Sequence, residues 1–201
     1  MIRLMVILGL CFHLWDVNEP KVTMWEILKE SELGIGGTTN VSDFYCGSDT
    51  YVGNDKLYET IMPDGGVSWN GTINIRAYSF DCANKIMTSD FQSIILAEQY
   101  PFITMQFIDL YKKDELGTIL AGEAVVTLAE GSKKINITCR MERMKDGVMK
   151  LTGSHTFLFS DFGLEPPKKF FGTIKVNNEV TVDFKILLKP QTSASKTAGL
   201  L

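Results

Sequence analysis

The sequence predicts an all-β protein with one or two short helices, its roughly eight long strands closing into an extended antiparallel β-barrel. Three observations carry that expectation. Apolar and polar residues alternate with period two through most of the chain. Turn signals at Asp114-Glu115, Gly131-Ser132, Asp146-Gly147 and Asn177-Asn178 separate the alternating runs, and such short links favour hairpins. The inward faces also carry small residues, Gly37, Gly71, Gly122, Ala124 and Gly153, where a sandwich would place large ones. A barrel of this strand number can hold one small ligand. Glycine within a strand marks a bend, a close approach or a ligand. These positions therefore either serve the curvature of the wall or leave room inside it.

The elements follow in order. VTMWEILKE (22–30) reads as a first strand and SELGIGG (31–37) as its continuation, while the Gly-, Asp- and Asn-rich stretch 47–66 reads as loop. In GVSWNGTINIRAY, Val67, Trp69, Gly71, Ile73 and Ile75 share one face. One helix interrupts the strands: Ser89 and Gln92 have capping-box spacing, Phe91, Ile94 and Ile95 follow at helical spacing, and Pro101 ends it. Strands resume with inward sets Ile103, Met105, Phe107, then Leu120 to Leu128, then Ile135, Ile137, Cys139, Met141. The next strand puts Gly153, His155, Phe157 and Phe159 on one face, and the last aligns Val180, Val182, Phe184, Ile186 and Leu188.

With 201 residues the chain suits one domain, and a hydrophobic fraction of 45% is ordinary for a globular protein. A net charge of −4 offers no footprint for nucleic acid. Residues 1–15 resemble a secretory signal: Arg3 precedes an apolar run from Leu4 to Phe12 that is too short to span a bilayer. The tail 190–201 is small and polar and is expected to be flexible. With Cys11 in the signal, two of Cys46, Cys82 and Cys139 are expected to pair in an oxidising compartment, and the spacing does not say which. No cysteine or histidine spacing points to a metal site.

Four stretches, SELGIGGTTNVSDFYC, FDCANKIMTSDF, YPFITMQF and LTGSHTFLFSDFGLEPP followed by FFGTIKVNNEVTVDFKILL, together resemble the YceI-like family of bacterial envelope proteins. The resemblance runs from about Val22 to Lys189, and so places one domain over 22–189. It implies a lipocalin-like barrel that binds polyisoprenoid or another long-chain amphiphile, such as an isoprenoid quinone or fatty-acid-like lipid. It implies a periplasmic or secreted protein that is a carrier, store or sensor and not an enzyme. No cofactor is implied beyond the bound lipid, and a homodimer stays open. In resembling exported proteins the positions of Cys46 and Cys82 often both carry cysteine, which implies a disulfide between them.

Combined with the alternation, the resemblance assigns a lumen lining. Trp69, Ile73, Ile103, Met105, Phe107, Val126, Ile137, Phe157, Val182 and Phe184 come from strands, and Phe91 and Ile95 from the helix closing one mouth. His155 shares the inward face and would either meet a ligand's polar head or be satisfied as a core histidine by backbone or water. An inward Cys139 beside His155 also leaves a hydrolase-like pair open, without the nucleophile elbow or oxyanion loop such chemistry uses. A filled barrel acting through its outer surface is the remaining alternative.

Overall fold

The computed structural model describes residues 19–169 and 173–191. The signal-like segment 1–15, with Cys11, and residues 192–201 of the tail lie outside the described residues. The strands are β1 (Lys21–Ile27), β2 (Glu32–Thr39), β3 (Asp43–Ser48), β4 (Lys56–Ile61) and β5 (Val67–Arg76). After helix α1 (Lys85–Ile94) come β6 (Phe102–Lys112), β7 (Ile119–Leu128), β8 (Gly131–Arg143) and β9 (Met149–Leu158), then β10 (Lys168–Lys169) and β11 (Ile174–Pro190).

Hydrogen bonding runs antiparallel along β1-β4-β5-β6-β7-β8-β9-β11, and β11 pairs back with β1 to close an uneven ring. At 17 residues β11 is the longest of the described strands, and it exceeds what β1 can pair. Its first half therefore takes β2 as a neighbour, and β3 folds back on β2 as a hairpin. Among the described residues the fold is all-β with one α-helix, and it is lipocalin-like in its closure.

Alternation predicts the inward faces well because one side of each strand must leave water. Trp25, Leu57, Trp69, Leu110, Leu120, Met149, Leu151 and Leu188 are almost fully buried and fill the end of the ring where β1 begins and β11 finishes. Trp25 and Trp69 meet there with ring centroids 5.4 Å apart. Toward the other end lie α1, the β2–β3 turn and the segment after β9.

Several expectations change. Residues 47–66 contain a strand, β4, that alternation missed because its inward set is Leu57, Glu59 and Ile61. Glu59 is tolerated inside because Trp25 Nε1 donates to its Oε2 at 3.2 Å. SELGIGG does not continue the first strand but forms a separate one, β2, which pairs with β3, where Cys46 sits. Asn177-Asn178 is not a turn: β11 runs through it with a register shift between Val176 and Val180. The helix begins earlier than the Ser89–Gln92 pattern implied. Asn84 is its cap, and its side-chain oxygen accepts from the backbone N–H groups of Ile86 (2.9 Å) and Met87 (3.2 Å). The helix ends at Ile94 with Ile95 as its C-cap, before Leu96 at φ 54°, and Pro101 instead leads into β6.

The inward glycines have two distinct causes. Opposite Gly71 and Gly122, β6 carries one extra residue around Ile108, a bulge that bends the wall. Gly71 has φ 141°, and a Cβ at Gly122 would come within 1.8 Å of the Asp109 carbonyl oxygen. Gly37 and Gly153 instead seat the rings of Phe44 and Phe184. Curvature and ring packing account for these glycines.

Candidate functional site

The apolar interior opens where α1 crosses the ring. The rim is built by the turn at residues 40–42, the exposed start of α1, and the first residues of β11. Between them lies a groove of about 340 Å³, lined chiefly by Val41, Phe44, Met87, Ile94, Ile174 and Val176. That volume falls within the range of small-molecule sites. Beneath it is a smaller, wholly apolar cavity of about 70 Å³, reaching Leu33, Ile75, Phe80, Leu128 and Val180. Phe91 of α1 and Phe159 line both spaces and form the partition between them.

The disulfide Cys46–Cys82 holds this end together. It ties β3 to the segment ahead of α1, with the two Cα atoms 3.9 Å apart. Beside it, Gly47 and Asp81 exchange backbone hydrogen bonds of 2.8 Å, and the Thr88 hydroxyl accepts from the Cys82 N–H at 3.0 Å. Helix, disulfide and β3 thus form one braced cover.

The assigned lining divides into groups. Phe91, Ile95, Ile103, Met105, Val126, Phe157 and Val182 surround the small cavity. Trp69, Ile73, Phe107, Ile137 and Phe184 are buried in the packed core away from it. His155 lies outside both linings, half-buried, with its ring 4.6 Å from that of Phe157. The rim residues Val41, Phe44, Ile174 and Val176 were not predicted. Their clue was the apolar Val41 and Ile174–Val176 beside turn signals, which alternation alone assigns to no face.

His155 borders a break in the wall. β8 pairs with β7 over its first ten residues, from Gly131 to Arg140, and β9 pairs with β11 to Leu158. Yet β8 and β9 pair with each other only from Arg140↔Thr152 to Arg143↔Met149. Continued in that register, His155 would oppose Ile137, but no ladder joins these described stretches. The resulting slot is bridged at its top, where Lys133 forms an ion pair with Asp161 and Gly131 packs against the Phe162 backbone.

Electrostatics follow from this placement. Burial, and then the Lys133 charge, hold the His155 imidazole below the ordinary histidine value, against the opposing pull of Asp161. The hydrogen bond from Lys133 and that from the Leu158 N–H hold the Asp161 carboxyl below the usual carboxylate range. Burial pushes the Cys139 thiol up to about 11, so it is protonated at neutral pH and poorly nucleophilic. Cys139 is paired opposite Leu120, and His155 opposite Val182 on another ladder.

The described residues thus form a closed, lipocalin-like β ring with an apolar interior and a braced mouth. No protein-family model matches the chain, and no curated protein does. Solved structures do. BcnA from Burkholderia cenocepacia is similar at 15% identity, over 78% of this chain and 95% of that one, with a TM-score of 0.59. A polyisoprenoid binding domain from Saccharophagus degradans, implicated in plant cell wall breakdown, is similar at 11% identity over 83% of this chain and 98% of that one, with a TM-score of 0.56. At these identities the likeness shows the fold, which is the one that the resemblance to the YceI-like family implied.

Proposed function

We propose that this protein binds one long-chain, mostly apolar lipid, a polyisoprenoid or fatty-acid-like chain, and carries or stores it in a bacterial envelope. The observation that carries the reading is the apolar path from the rim groove to the inner cavity, interrupted only by Phe91 and Phe159. Each methylene moved from water into such a path contributes about 0.8 kcal/mol, with ordering and desolvation taking back a good part. The likeness to a polyisoprenoid binding domain supports the ligand class. The disulfide supports an oxidising compartment, periplasmic or extracellular. No helix of the described residues is long and apolar enough to cross a membrane.

The inner cavity of about 70 Å³ is too small for a whole long chain. Binding therefore requires the Phe91 and Phe159 rings to turn aside and join the two spaces. The same tight core favours the second reading, a filled barrel acting through its surface. Mass spectrometry of organic extracts from the purified protein separates the two. A long-chain lipid near one per protein, lost in a folded Ile174→Glu variant that puts a charge in the groove, supports binding. An extract free of lipid, with no uptake of added long-chain lipid, favours the filled barrel.

A further inference from the structure

We propose that the slot between β8 and β9 is a lateral entrance to the lumen, which admits the apolar chain of an amphiphile while its uncharged polar end stays at His155, Lys133 and Asp161. The proposal rests on the lipid-binding reading and adds a route and a head-group class to it.

Across this slot no β-sheet pairing holds the wall together. Between 131–139 and 153–158 no ladder joins the two strands, so separating them breaks no β-sheet pairing. What spans the top of the slot is a partly exposed ion pair and the contact of Gly131 with Phe162. An ion pair of that exposure contributes little to stability. The rim at α1 is far harder to move, because the disulfide, the Gly47–Asp81 bonds and the Asn84 cap all hold it.

The interior lies directly behind the slot. Phe157, Leu158 and Phe162 line the inner cavity, with Val126 and Leu128 of the neighbouring β7. Leu158, beside the buried Phe157, borders the cavity and is itself 38% exposed, so solvent lies one residue from the interior here. A chain entering here would be in apolar surroundings at once.

The polar groups at the slot define what would remain outside. Lys133 is neutralised by Asp161, and His155 is held toward its neutral form. The cluster thus carries no net charge at neutral pH. Neutral imidazole offers one donor and one acceptor, which suits a hydroxyl or carbonyl. A carboxylate or phosphate would have to displace Asp161 from Lys133 first.

The test uses the full chain and a fluorescent long-chain alcohol. Asn136→Cys with Thr156→Cys, opposite one another in the extrapolated register, are cross-linked across the slot by a short bismaleimide. Ser154→Cys with Asp183→Cys, paired across the intact β9–β11 ladder, are cross-linked as the control. Uptake slowed several-fold by the first link and unaffected by the second is the expected result. Equal uptake with and without the slot link overturns the entrance. A protein that retains lipid on purification but loads at the same rate when linked keeps the binding reading and loses this one. A protein that takes up no lipid at all loses both. Independently, Asp161→Asn should speed uptake and shift preference from the alcohol toward the fatty acid of equal length, because Lys133 is then unneutralised. An unchanged alcohol-to-acid preference in that variant overturns the head-group assignment.

Discussion

Glu59 shows how a single residue can hide a strand. An acidic side chain on an inward face breaks the alternation by which β4 would have been read, and only the indole of Trp25, 34 positions away, explains its presence. Glu59→Leu is expected to cost about 1–3 kcal/mol by leaving the Trp25 N–H buried and unpaired. Glu59→Gln, which keeps an acceptor, should cost less; urea denaturation midpoints measure both. Alternation put His155 on an inward face, whereas it is half-buried outside both cavity linings and beside Lys133 and Asp161, which come from β8 and from the segment after β9. Its folded-state pKa lies below the ordinary 6.5, so the unfolded chain binds its proton first. Its contribution is therefore fully present above that value and is lost as pH falls below it, levelling off beneath the folded pKa. An NMR titration should place the imidazole below 6.5, and His155→Leu should flatten that part of the stability profile.

At the scale of elements, period-two patterning revealed most strands because each has one dry face. It could not show which neighbours bond, since the alternation of β8 and β9 is the same whether or not they pair. The slot was therefore invisible in the sequence, as was the closure of the ring through β11. The bulge in β6 was half-legible: Gly71 and Gly122 stood out, but their common partner did not. Gly122→Ala would drive a methyl into the Asp109 carbonyl, which is backbone and cannot swing away. Thermal unfolding should show a loss of about 3 kcal/mol or more. Gly153→Ala should lose less, because the atom it meets first is the far end of the Phe184 ring.

At the scale of the whole molecule, the disulfide joins residues 36 apart and braces the mouth. Replacing Cys46 and Cys82 together by alanine should lower stability by roughly 4 kcal/mol on loop-closure grounds. A fall in melting temperature of the intact protein on reduction would report the same bond. The ring also has a temporal consequence. β11 bonds to β9, β2 and β1, and its far end sets Pro190 against Trp25, almost the full described chain apart. Until Ile174–Pro190 exists, β9 lacks one neighbour and β2 lacks the strand that holds it to the ring. Contacts this distant in sequence form slowly, because closing the loop must precede any reward from it. A nascent chain of this protein thus waits on β11 before its ring can close and the β2–β3 hairpin can join it.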